Sequence, residues 1–167
     1  MSETPQQYTQ RLLNNIGDMN PVEILESTTI RIEALSRVLE KKGLQRKPTP
    51  DKWTAAQILS HLAEGEIVFA YRLRRALNAS GEAIEAYDQN EWVKNSGYLQ
   101  ADPHLALSLF QALRKANVAR LKSLTPEQWT HFGIHSERGK ESITQMARLT
   151  AGHDINHLRQ METIAEM

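Results

Sequence analysis

The chain has 167 residues, is 40% hydrophobic, 24% charged and 6% aromatic, balances 20 Lys+Arg against 20 Asp+Glu, and contains no cysteine. Zero net charge argues against a dedicated nucleic-acid binder, which carries a basic excess. The missing cysteine excludes disulfides, thiolate zinc sites and a cysteine nucleophile, and no apolar run approaches the roughly 20 residues of a membrane span.

The length suits one domain, residues 1–167, with a core of its own. Its first residues lack a basic-then-apolar leader, so a cytoplasmic location is expected. In chain order, a short helix is predicted near 5–16. Asn20-Pro21-Val22-Glu23 supplies a cap, a first-turn proline and a carboxylate, opening a helix over 21–42. Thr54-Ala55-Ala56-Gln57 is a capping box for a helix over 54–79. Asp102-Pro103 opens a helix over 103–123, and Thr125-Pro126-Glu127-Gln128 a short one. Ser142-Ile143-Thr144-Gln145, a further capping box, opens a helix over 142–165.

Sustained period-two alternation is absent, as is an Asn-Gly or Asp-Gly turn between apolar runs, so no strand is predicted. Four long amphipathic segments predict an all-α fold, a four-helix bundle with a long crossover connection and short extra helices. The crossover is Ser80 to Ala101, holding Tyr87, Trp92, Gly97 and Tyr98. Connections of that length are uncommon unless they act, for instance by covering a pocket.

Chemistry concentrates in the histidines, of which there are six: His61, His104, His131, His135, His153 and His157. His153 and His157 are four apart on the last helix, one turn above the other. Their face continues through Met146, Leu149, Thr150, Gln160, Met161 and Ile164, a largely apolar stripe that should point into the bundle. His61 shares its stripe with Thr54, Ile58, Gly65, Val68 and Arg72. Three imidazoles on two helices are then placed to meet inside, where bundles assemble metal sites. Neutral imidazole suits zinc, nickel, copper and iron, and three histidines leave a coordination position open. The competing reading is that each is a packed core residue with a satisfied N–H, and spacing alone leaves both open. Gly65 and Gly152 flank the histidine positions, which suggests room left for a close approach or a ligand.

Glu66 lies on the opposite, leucine- and alanine-rich stripe of its helix, where a buried carboxylate calls for an Arg or Lys partner. Asp154 and Asn156 flank the histidine face and are read either as groups orienting an imidazole or as solvated surface. Arg72-Leu73-Arg74-Arg75 reads first as a wet helix face. His131 and His135 are assigned to an exposed loop with Arg138, and Met146 and Met161 to the core.

Several segments, in order, carry a family resemblance: Trp53 to Leu62, Tyr71 to Arg74, Tyr87-Asp88-Gln89-Asn90-Glu91-Trp92, Leu124 to Trp129, His135 to Gly139, and Gly152-His153-Asp154-Ile155-Asn156-His157-Leu158-Arg159-Gln160. From about Pro5 to Ile164 the chain resembles the DinB-like superfamily of metal-binding four-helix bundles. That superfamily includes the YfiT-type proteins, assigned as metal hydrolases, and bacterial thiol S-transferases. The resemblance implies a divalent-metal site, zinc, nickel or similar, made by His61, His153 and His157. It implies a homodimer, and it places Tyr87, Trp92, His135 and Arg138 near the metal end of the bundle.

Two function classes follow. One is a metal-dependent transferase joining a low-molecular-weight thiol (bacillithiol, mycothiol or glutathione) to an electrophilic small-molecule substrate, with Arg72 or Arg138 holding a cofactor carboxylate; a hydrolase variant uses water instead. The other is a non-catalytic, stress-related metal-binding module. A structural zinc site is normally closed by four protein ligands, and only three are found here. No nucleic-acid or membrane partner is expected.

Overall fold

A computed structural model describes residues 3–98 and 100–167. In chain order it contains α1 (Pro5–Ile16), α2 (Pro21–Lys42), α3 (Ala55–Asn78), β1 (Ala83–Ile84), α4 (Gln89–Asn95), α5 (Pro103–Lys122), α6 (Pro126–Thr130), β2 (Phe132–His135), β3 (Gly139–Ser142) and α7 (Ile143–Glu166). The caps act as the sequence predicts. Thr54 accepts from the Gln57 N–H while the Gln57 side chain accepts from the Thr54 N–H, and Thr125 and Gln128 repeat the exchange. At Ser142 only the hydroxyl half forms, accepting from the Gln145 N–H; this residue also ends β3.

α2, α3, α5 and α7 form the four-helix bundle, with α3 packed on α5 and α7, and α2 packed on α5 and α7. Two apolar clusters fix the helix directions. One holds Leu25, Leu73, Val118 and Ala147; the other holds Ile32, Leu59, Phe110 and Met161. α3 and α5 therefore run parallel to each other and antiparallel to α2 and α7. Parallel neighbours require the chain to travel back along the bundle, so residues 79–102 form the predicted long crossover. It carries β1 and α4. Full burial of leucines such as Leu59 and Leu73 contributes roughly 1.5–3 kcal/mol each.

The three short strands were not expected. β1 pairs in parallel with β2, and β2 pairs antiparallel with β3. Strands of two to four residues are too short to show an alternating pattern, and the hairpin turn ends on Arg138-Gly139 rather than Asn-Gly. Gly139 takes the positive φ, +75°, that the turn requires.

α1 lies across α7. A Cβ at Gly152 would fall 2.1 Å from the Leu12 carbonyl oxygen, so this glycine exists for helix contact and not to leave space for a ligand. Gly152→Ala is expected to lift α1 and destabilise the fold by about 1–3 kcal/mol, read as a lower thermal midpoint; an unchanged midpoint would contradict the contact.

Candidate metal centre

Between the two apolar clusters, the three histidines predicted from helical phase converge. His61 Nε2 lies 2.8 Å from His153 Nε2, which lies 3.1 Å from His157 Nε2. The three ligand atoms fall within 4.8 Å of one another. Such approaches need a proton or a cation between the nitrogens. Burial keeps the rings uncharged, each with a single N–H: it pushes the His157 pKa down to about 4, and, aided by the neighbouring imidazoles, puts His61 and His153 well below the ordinary value. His157 Nδ1 lies 2.9 Å from Gln160 Oε1, which can only accept, so Nδ1 carries the proton and Nε2 keeps its lone pair. Imidazole–zinc bonds of about 2.0–2.1 Å at tetrahedral to right angles separate ligand nitrogens by about 2.9–3.4 Å, close to the 2.8 and 3.1 Å of the two pairs that share His153. Three buried, uncharged imidazoles whose Nε2 atoms converge suit a divalent cation. Trp53 shields them, stacked on His157 and edge-on to His61.

Two cavities flank the cluster. One, of about 420 Å³, has His153, Gly65, Arg72, Tyr87, His135 and Arg138 on its walls. The other, of about 480 Å³, is lined by His157, Trp53, Ile58 and Gln160. Tyr8 of α1 and Gln89 of the crossover line both.

The remaining expectations divide. Arg72 and Arg138 face the first cavity. His135, expected in an exposed loop, is buried on β2 at 1% exposure. Trp92 lines neither cavity and packs, ring to ring at 4.7 Å, on Tyr87, which does line the first. Asp154 borders the first cavity but makes its bonds to Arg114 and Thr28, not to an imidazole. Asn156 accepts from Arg11. Glu66 has its predicted cation: Arg114 of α5, at 2.8 Å. Arg114, Trp53 and Tyr8 were missed. Arg114 and Asn117 interrupt the apolar stripe of Phe110, Val118 and Leu121, a signal that could have been matched to Glu66.

The model of the DinB superfamily matches residues 24–161, most of the chain. The protein belongs to the DinB superfamily. Among its relatives in that superfamily, "Putative metal-dependent hydrolase OB0782" of Oceanobacillus iheyensis is 29% identical over 114 residues, covering 68% of this chain and 66% of the relative. "Putative metal-dependent hydrolase YfiT" of Bacillus subtilis is 28% identical over 123 residues, 74% of this chain and 68% of the relative. The alignments thus span about two thirds of these relatives. The solved structure of Bacillus subtilis YfiT, described as having an unusual four-helix bundle topology, superimposes with a TM-score of 0.75 at 22% identity, covering 96% of this chain and 89% of that one. In this DinB-superfamily chain no helix among the described residues is long and apolar enough to cross a membrane.

The buried histidines give the metal-free protein a signed pH dependence. His135 and His157 titrate near 4 when folded and near 6.5 when unfolded. Below about 6.5 the unfolded chain binds more protons, so stability present at neutral pH is lost as pH falls toward 4. Thermal midpoints should drop between pH 7 and 5, and drop less in a His135→Asn/His157→Asn variant. Equal slopes would contradict the burial of neutral imidazoles.

Proposed function

We propose that the protein is a metal-dependent enzyme in which His61, His153 and His157 hold one divalent ion and a low-molecular-weight thiol is transferred to an electrophilic small molecule. The observation carrying this reading is the three-histidine cluster placed between two cavities, room for two reactants meeting at one centre. When bound, a divalent cation there supplies Lewis-acid chemistry, acidifying a thiol or water and polarising an oxygen. With no cysteine in the chain, the thiol comes from outside. The sulfur–carbon bond forms as the leaving group departs with its bonding pair, and the thiol proton passes to solvent.

The chain's own residues orient and enclose. Gln160 fixes the His157 tautomer, Trp53 packs against two of the rings, and Tyr8 and Gln89 border both cavities. Hydrolysis is the second reading, favoured by the names of the relatives, with water as nucleophile.

The test incubates zinc-, nickel- or manganese-loaded protein with bacillithiol, mycothiol or glutathione and an aryl halide, and separately with esters and amides in the absence of thiol. Metal-dependent thiol consumption, lost in His157→Ala, is the expected result. Ester or amide cleavage without thiol consumption would overturn transfer in favour of hydrolysis.

A further inference from the structure

The wall of the 420 Å³ cavity contains a mismatch between hydrogen-bond donors and acceptors. His135 Nδ1 accepts the backbone N–H of Glu137 at 3.2 Å, a bond set by the β2–β3 turn. Its Nε2 lies 3.2 Å from Arg72 Nη2. Burial, with Arg138 and Arg72 adding to it, lowers the His135 pKa to about 4, so the ring is neutral with one lone pair and one N–H. The lone pair already accepts from Glu137. One lone pair thus faces two donors, the Glu137 N–H and an Arg72 Nη2–H, and with the pair turned to Glu137 the Nε2–H meets a guanidinium N–H.

Arg72 repeats the deficit. Its Nη2 donates to the Glu85 carbonyl, but its Nε is buried without a partner, and among the described residues no carboxylate pairs with it. Arg138 differs: both its Nε and its Nη2 bind the buried Glu141. Leaving a buried donor unsatisfied is unfavourable. Arg72 and His135, which carry these donors, both line the cavity.

We propose that Arg72 and His135 form a subsite for the carboxylate of a small molecule that extends along this cavity toward the three-histidine centre. Nε and Nη2 form one edge of the guanidinium fork, which matches the two oxygens of a planar carboxylate, and His135 Nε2–H supplies a third bond. Glu3, Glu66, Asp88, Glu137, Glu141 and Asp154 also line the cavity, which opposes a dianionic phosphate more than a monoanionic carboxylate. His61 and Arg72 lie eleven residues apart on α3, about 16 Å of helical rise. His153 lines the same cavity, so one elongated molecule can reach both. This deepens the proposed function, on which its direction toward the centre rests, and selects Arg72 over Arg138.

The test uses metal-free protein and long-range ¹H–¹⁵N spectra of the histidine rings. Titrants are N-acetylglycine, its uncharged amide, and inorganic phosphate. A saturable shift of the His135 ring nitrogens with N-acetylglycine alone is expected, with affinity at least tenfold weaker in Arg72→Gln. Arg72→Lys, which keeps the charge without the fork, should be intermediate and covers the case in which Arg72→Gln fails to fold. Equal response to the amide, preference for phosphate, or unchanged affinity in both variants would overturn the subsite. Because no metal is present, those failures leave the metal-centre reading intact. Carboxylate binding by a chain that takes up no metal on loading would overturn the reach to the centre instead.

Discussion

His157→Ala is expected to abolish stoichiometric metal binding, while His104→Ala leaves it unchanged. His157 supplies one of three nitrogens in the cluster and is 6% exposed; its removal leaves only His61 and His153, and no carboxylate among the described residues joins the cluster. His104 is exposed on α5 beside Glu40, at 3.4 Å, remote from the cluster. Gln160→Leu should give a graded result, about 10–100-fold weaker binding, because it removes the group that fixes the His157 tautomer without removing a ligand. Elemental analysis and chelator competition measure all three. Full metal content in His157→Ala would show that these histidines are packing residues.

The largest stability effect is expected at Arg114. This side chain, 2% exposed, binds Asp154 of α7 at 2.5 and 3.0 Å, Glu66 of α3 at 2.8 Å and the Leu25 carbonyl of α2 at 3.0 Å. Burial alone would oppose its charge, but Asp154 and Glu66 raise its pKa. Arg114→Met strands two buried carboxylates, which costs about 3–5 kcal/mol and, at about 2–4 °C per kcal/mol for a domain near this size, lowers the thermal midpoint by roughly 6–20 °C. Adding Glu66→Gln and Asp154→Asn removes the stranded charges and should recover a substantial part of the loss. A midpoint unchanged in Arg114→Met would contradict the network. Since Glu66 and Asp154 lie on the two histidine-bearing helices, the same network holds those helices in register.

Much of this arrangement was legible in the residues. Caps such as Thr54 with Gln57 announce helix starts because their bonds are local. The 61, 153, 157 set was found because helical phase places each imidazole on an inward stripe. What spacing could not supply was contact across elements. His135 was read as exposed because the strand that buries it exists only through pairing with β1 and β3. Gly152 was read as room for a close approach or for a ligand; the first holds, but nothing in its own helix reveals that the approaching group is the Leu12 carbonyl of α1. Asp154 was weighed as an imidazole partner or as surface because its true partner, Arg114, sits on a third helix. Arg72 shows the intermediate case: its helix face was readable, but its unpaired Nε and the donor facing it at His135 depend on a turn sixty residues away.

Loading the protein with cobalt and recording its visible spectrum before and after adding a low-molecular-weight thiol tests for an open divalent-metal centre at His61, His153 and His157. One cobalt per chain is expected, with a spectrum that changes on thiol addition and no such spectrum in the His61→Ala/His153→Ala/His157→Ala variant. A cobalt spectrum indifferent to high thiol concentration, or one retained in that variant, would contradict such a centre.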